Sequence, residues 1–475
     1  MAFPEQTPTH AAPSADVEKV GSAPLLNPYP DYQATYSVQH IVPVVDQRPR
    51  RRAKVRFLHA FVLAGLLFFF LPPLTTHAIR GSTHILNHWF GKDRKTSMPL
   101  LVETPESCVE TASWTHGPPR QHYQFAHSAE TSFELPLSSD ILFFLSRGHA
   151  AFAHGSIEIS DTGKEGSDMA QVDIVGHYND IDDFLGLTSV CTLQPEDGHN
   201  GVGIFAPLHW SGHHDSRRQI RFQVFVRLPA SSSSSTATSI KKLATDMSQF
   251  VHYVADIKDT IFFDKLILRG ANAPIHVETL FAEVVDVHTS NGPIHGSFNA
   301  SKALLLHTSN APIKTDIGLF NAADDTHTEL SLHTSNGPIA TNISLFSIAD
   351  NSMGGTFDVD IHTSNSPMNV AFLEAPVDHT LNMKAHTSNS PARATLHKTY
   401  EGSFALSSSR FFRPSVHADN SVEDPAGHQR QRTVRTNTIA GSLVKGDVKW
   451  IPSERETEVG RVEISTSNLG LDLFL

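Results

Sequence analysis

The sequence predicts an all-β fold, a parallel β-solenoid or β-helix ectodomain with a β-rich N-terminal cap region, placed after a disordered tail and one transmembrane helix. Three observations carry that prediction. The four residues His-Thr-Ser-Asn recur five times, apolar and polar residues alternate on both sides of each copy, and one apolar run stands directly behind a cluster of arginines.

The copies begin at His288, His307, His333, His362 and His386, and each is followed by a small residue and then proline, from Gly292-Pro293 to Ser390-Pro391. Worn copies occur at Asn272-Ala273-Pro274-Ile275 and at Thr466-Ser467-Asn468-Leu469-Gly470. Successive Asn residues lie 19, 19, 26, 29 and 24 positions apart from Asn272 to Asn389, the range of one solenoid coil plus loops of variable length. Runs such as Val285-Asp286-Val287-His288 and Leu304-Leu305-Leu306-His307 have the two-residue period of a half-buried strand.

A hairpin at each Asn is disfavoured, because a type I′ turn needs positive φ at two residues and the second position here accepts Ala311, Ser366 and Ser390 before proline. The reading is a corner between two sheets, with Asn272, Asn291, Asn310, Asn336, Asn365, Asn389 and Asn468 as structural corner residues. Each Asn is expected to hold a left-handed conformation, and the amides to stack as an internal ladder.

The rest of the chain divides around these coils. Residues 1–54, rich in Pro, Ala, Ser and Thr without apolar periodicity, predict a disordered cytosolic tail. Residues 55–74 then predict a transmembrane helix, about as long as a bilayer core requires and ended by Pro72-Pro73. The basic run Arg48 to Arg56 flanks its N-terminal side, so the positive-inside rule gives a type II topology with the C-terminal part lumenal or extracellular, in a secretory-pathway or plasma membrane. A cleaved signal peptide would carry its charges at the extreme N-terminus, although Thr76-His77-Ala78 resembles a small-residue cleavage site and leaves cleavage open, and a buried core helix would not be apolar all round beside arginines. Residues 75–110 read as a juxtamembrane linker, 111–230 as a β-rich region capping or starting the solenoid, and 240–475 as the repeats. The serines 231–235 mark a break, and residues 412–437 read as a long exposed loop.

The Ser-Asn-Gly-Pro-Ile type of repeat, the alternating strands around it and the basic-flanked span resemble a family of adhesin-like proteins of unknown function, including its membrane-anchored fungal members. The resemblance covers roughly residues 130 to 475. It implies a parallel β-solenoid with a surface or adhesive role, with cell-wall carbohydrate or surface proteins as partners.

Composition narrows the function further. A net charge of −12 argues against nucleic acid as a partner. Cys108 and Cys191 both follow the apolar run, so they form one disulfide if that region is lumenal, or else remain two buried thiols. The five histidines invite a metal reading, but rings at strand spacing stack flat instead of closing a tetrahedral cage, so neither a metal site nor a cofactor is expected.

No catalytic residues are assigned. A Ser-His pair built five times has no acidic residue at a fixed offset, and Asp286, Asp316, Asp358 and Asp360 occupy unrelated places in their coils. The expected function is therefore non-enzymatic adhesion, with a carbohydrate-active lyase or glycoside hydrolase on the same scaffold as the alternative. Two sequons, at Asn299 and Asn342, are candidate glycosylation sites expected where the chain leaves a strand for a loop.

Overall fold

The computed structural model describes residues 108–119, 124–209, 218–230, 237–322, 326–439, 441–452 and 460–475. The expected tail, transmembrane helix, most of the linker and the serine break lie outside them. No helix among the described residues is long and apolar enough to cross a membrane. The described part is all-β, with Ile181–Leu187 as its one α-helix.

Strand pairing follows two ladders, and the chain passes from one to the other at each Asn corner. One ladder runs through the segments after the corners: Ile275 pairs in parallel with Ile294, Ile294 with Ile313, Ile313 with Ile339, Ile339 with Met368, Met368 with Ala392 and Ala392 with Leu471. The other runs through the segments before them: His288 pairs with His307, His307 with His333, His333 with His362, His362 with His386 and His386 with Ser465. Strands Ile275–His288 and Ile294–His307 serve both ladders, and their mutual register shifts between Ala282 and Val284, where the chain moves from one to the other.

The alternation read from the sequence now has its cause. Val285 and Val287, Leu304 and Leu306, Leu330 and Leu332, and Val359 and Ile361 point inward from one ladder and are buried. Ile294 and Phe298, Ile313 and Ile317, and Ile339 and Ile343 do so from the other, and all belong to one continuous apolar core. Burial of a side chain of this size contributes about 1.5–3 kcal/mol, so each coil is held mainly by what it places between the ladders.

The ladders continue into the region before the repeats. Strand Thr238–Asp246 pairs in parallel with Ile141–Arg147, which pairs in parallel with His199–Phe205. Phe250–Asp256 likewise joins His154–Gly163, and that strand joins Arg221–Pro229. Antiparallel strands then close this end, Met169–Tyr178 against Arg221–Pro229 and His127–Pro136 against Met169–Tyr178.

A second cluster, including Phe143, Leu145, Leu193 and Phe205, lies beneath strand Cys108–Thr111. Cys108 and Cys191 are joined there as a disulfide, with Cα atoms 5.6 Å apart. The helix begins at Asp180, whose carboxylate accepts from the Asp182 and Asp183 amides at 2.8 and 3.2 Å. It buries Phe184 against Tyr178, ring centroids 4.5 Å apart.

Residues 412–437 are not the continuous loop the sequence suggests. Ser415–His417 pairs with Leu471–Phe474, and Gln431–Ile439 forms a hairpin with Leu443–Ile451. The hairpin strand lies at a ladder edge and is exposed along most of its length, so it has no apolar alternation to betray it.

Candidate binding face at the corner ladders

Each corner builds three parallel rows of side chains, and their burial decides what each row does. The Asn row forms an unbroken chain of amide hydrogen bonds. Asn291 Nδ2 donates to Asn272 Oδ1 at 2.7 Å, Asn310 to Asn291 at 2.7 Å and Asn336 to Asn310 at 2.6 Å. Asn365 donates to Asn336 at 2.7 Å, Asn389 to Asn365 at 2.6 Å and Asn468 to Asn389 at 2.5 Å. The structure thus brings all seven predicted corner residues into one line.

Two parts of the expectation fail. The ladder is exposed, not internal, and no Asn takes a left-handed conformation, since positive φ outside glycine occurs among the described residues at Ser352, Asp378 and Gln429. The corner is held instead by backbone bonds to the coil before. Asn291 N–H donates to Ala271 O at 2.6 Å, Asn310 to Ser290 O at 3.0 Å and Asn336 to Ser309 O at 2.9 Å.

The residue that sequence reasoning missed is the threonine two places earlier. Thr289, Thr308, Thr334, Thr363 and Thr387 are fully buried. Thr334 Oγ1 accepts from Gly337 N–H at 3.0 Å and donates to Ala311 O at 3.3 Å, so one hydroxyl satisfies its own turn and the coil before it. Thr289 does the same with Gly292 N–H and Ala271 O. Invariance alone does not mark it, because His, Ser and Asn recur just as faithfully in the five copies.

The His row lies one position outside the Thr row. Ring centroids of His288 and His307 are 4.7 Å apart, His307 and His333 4.9 Å, His333 and His362 4.8 Å, and His362 and His386 5.3 Å. Burial lowers the pKa of every one of these imidazoles, and for His333 burial and the flanking rings bring it down to about 4. The row is therefore uncharged at neutral pH, which lets the rings pack without mutual repulsion, but it is not the flat stack expected: His307 and His333 are tilted by 52° and His333 and His362 meet edge-on at 61°. No group of three or more His, Cys, Asp or Glu placed to hold a metal ion occurs among the described residues.

The four Asp residues do not converge. Asp316 accepts from Asn342 Nδ2 at 2.8 Å, Asp358 accepts from Asn382 Nδ2 at 2.9 Å and sits 2.7 Å from His327 Nδ1, and Asp286 lies 4.0 Å from Arg269. Burial raises the pKa of Asp360.

The two sequons do not stand at strand exits. Asn299 lies inside strand Ile294–His307 with its amide donating to Leu280 O at 3.1 Å, and Asn342 lies inside Ile339–Ser347, exposed on the outer face. Beside them runs a fourth, half-buried row of Phe262, Phe281, Phe320 and Phe346, with successive centroids 5.4, 5.1 and 4.8 Å apart.

No protein-family model and no curated protein matches the chain. Among solved structures, a cell adhesion protein candidate from Clostridium sporogenes is 9% identical over 73% of this chain and 98% of its own, with a TM-score of 0.16. An adhesin candidate from Parabacteroides merdae is 10% identical over 56% of this chain and 88% of its own, at 0.31. A lipid-binding candidate from Parabacteroides distasonis is 10% identical over 72% and 96%, also at 0.31. Likenesses of this size assign neither a family nor an activity.

Proposed function

We propose that the chain is a non-enzymatic, membrane-anchored, adhesin-like protein whose stacked coils form a β-solenoid displayed on the lumenal or extracellular side. One observation carries this reading: the exposed Asn row runs without a break from Asn272 to Asn468, and the His row runs beside it from His288 to His386. Such a face offers the same donors and acceptors again and again at about 4.8 Å intervals, which suits a repeating partner such as a carbohydrate polymer or an extended protein surface. Chemistry needs one unique constellation, whereas a periodic face gains strength by adding weak, identical contacts. The apolar run at residues 55–74 supplies the anchor, and Asn342, exposed on its strand, is the better placed of the two sequons to carry a glycan.

The test is to express the full chain with a C-terminal tag and stain cells with and without permeabilisation, then measure attachment to polysaccharide-coated and protein-coated surfaces. Staining of intact cells, and attachment lost in an Asn291→Ala, Asn310→Ala, Asn336→Ala variant that still reaches the surface, are expected. A C-terminal tag reached after selective permeabilisation of the plasma membrane that leaves internal membranes sealed, or attachment unchanged in the variant, would overturn the reading.

A further inference from the structure

Among the described residues, the most exposed aromatic side chain follows strand Gly402–Ser407, whose last residue pairs with Ser465 near the final Asn corner. Phe411 is 90% exposed and its neighbour Phe412 43%. They stand between Arg410 and Arg413, both exposed, at the tip of the segment that follows strand Gly402–Ser407. The tip has a defined fold. Phe412 N–H donates to Ser409 O at 3.3 Å, and the Ser408 hydroxyl donates to Phe412 O.

The tip also has a defined neighbour. Ser408 N–H donates to Ser442 O at 2.9 Å, and Ser407 pairs with Leu443, the residue that closes the hairpin opposite Ile439. Ile439, itself 42% exposed, thus joins the two phenylalanines at one end of the sheet.

Charge at this end is largely positive in a chain that is acidic as a whole, and Glu463, opposite Ala405 on the neighbouring strand, is paired with Arg461. Residues 402–417 and 431–446 contain no Asp or Glu, while Arg410, Arg413, Arg435 and Lys445 are exposed there. The nearest carboxylate on the hairpin is Asp447, opposite Arg435 and Ser403. Glu401 is buried at the base of the same strand, beside Arg430 at 3.5 Å. His417, also exposed, pairs with Asp472 at 3.8 Å on the far side of the segment.

Aromatic rings that project fully into water beside guanidinium groups match the boundary of a bilayer. There the rings leave water for the acyl region, and the cations meet anionic headgroups. A protein pocket would take up the rings without calling for a surrounding field of positive charge. We propose that the Arg410-Phe411-Phe412-Arg413 tip, with Ile439 and Lys445 beside it, docks onto a membrane surface containing anionic phospholipid. This contact is separate from the span at residues 55–74 and does not depend on the adhesive reading of the corner face.

The test uses Phe411→Trp in the intact chain, reconstituted in phosphatidylcholine vesicles with or without phosphatidylserine, and with protein-free vesicles of the same lipids added outside. Subtracting the parent spectrum isolates the new indole from the chain's four tryptophans. A blue-shifted emission quenched by brominated acyl chains, seen with phosphatidylserine and weakened roughly tenfold in affinity by high salt or by Arg410→Glu with Arg413→Glu, is expected. A water-like emission in every vesicle would overturn the proposal. So would a shift equal in neutral and anionic lipid, or a blue shift that bromine does not quench, the last pointing to a protein partner. Position 411 makes almost no packing contacts, so the substitution leaves the fold in place.

Discussion

The coils between Asn272 and Asn389 and the segment inserted after them solve the same problem by opposite means. In the coils, one small device is repeated: a buried Thr hydroxyl, an exposed Asn amide and a pair of inward apolar residues. Between Asn389 and Asn468 the chain makes a 79-residue excursion, against 24 residues in the step before, yet the Asn bond closes at 2.5 Å all the same. The excursion adds Gly402–Ser407 to the ladder and then the antiparallel hairpin.

A buried charged cluster braces the excursion. Arg430 reaches Asp424 at 2.9 Å and Glu401 at 3.5 Å, with its guanidinium carbon 5.8 Å from the centre of the Trp450 ring. Asp424 also accepts the amides of Ala426, His428 and Arg430. Nearby, Arg432 and Trp450 face each other across the hairpin with buried N–H groups that have no acceptor. Repetition satisfies polar groups coil by coil, while the one-off insertion leaves some unsatisfied.

Acid should loosen the coils, and the strand Phe250–Asp256 that leads into them, more than the insertion. His252 is fully buried between Thr245 Oγ1 at 2.8 Å and Phe250 O at 3.0 Å, and burial lowers its pKa to about 4. Its carbonyl partner leaves Nδ1 only the donor role, so the folded ring is neutral with Nε2 accepting from the Thr245 hydroxyl. Between the unfolded value near 6.5 and the folded value, the unfolded chain binds a proton that the folded chain refuses. Stability is therefore complete above about pH 6.5 and falls as the pH drops toward 4, by roughly 3 kcal/mol for this one ring. The five histidines of the corner row add to the loss in the same direction.

Asp424, held well below the usual carboxylate range by its bonds to Arg430, keeps its charge through that window. Hydrogen exchange followed from pH 7 to pH 4 should show the coils loosening while the Arg430–Asp424 contact persists. Exchange in the coils that does not change with pH, after correction for its intrinsic rate, would remove the buried-imidazole account.

Arg430→Met attacks the other side. It removes the guanidinium from beside Glu401 and takes a charged donor from Asp424, at a cost of roughly 2–3 kcal/mol. Calorimetry should show a lower melting temperature, and exchange should rise in 402–451 ahead of 285–391. Uniform loss of protection along both regions would mean that the insertion and the coils are one cooperative unit.

The finest comparison lies within one corner. Thr334→Val strands the buried Gly337 N–H and should cost about 1–2 kcal/mol, whereas Asn336→Leu exposes its neighbours' amides to water that can replace the lost bonds and should cost under about 1 kcal/mol. Chemical denaturation of the two variants decides it. A larger effect at Asn336 would restore the Asn amides as the main clasp.

Much of this fold was legible because period-two alternation reports burial directly. Val285 and Val287 or Leu304 and Leu306 announce a strand with one wet face whatever their partners are. The repeat spacing likewise announces that His288 and His307 share a row. The identity of the buried corner residue was not legible, since Thr and Asn are both polar and only the direction each side chain takes from the turn separates them. The left-handed Asn was a local argument, and it failed because hydrogen bonds from the previous coil turn the chain without it. Strand Gln431–Ile439 was hidden by arginines that look solvated in sequence, although Arg432 is buried.

Every amide bond in the Asn row points the same way, from the later coil's nitrogen to the earlier coil's oxygen. The row is therefore a one-way street: the side-chain dipoles align head to tail, and each bond polarises the next. Flipping any single interior amide would set oxygen against oxygen on one side and nitrogen against nitrogen on the other, so the row orients as a whole or not at all. Its two ends are chemically unlike, with the donor side facing out at Asn272 and the acceptor side at Asn468. Anything that extends this line, at either end, has to respect its polarity.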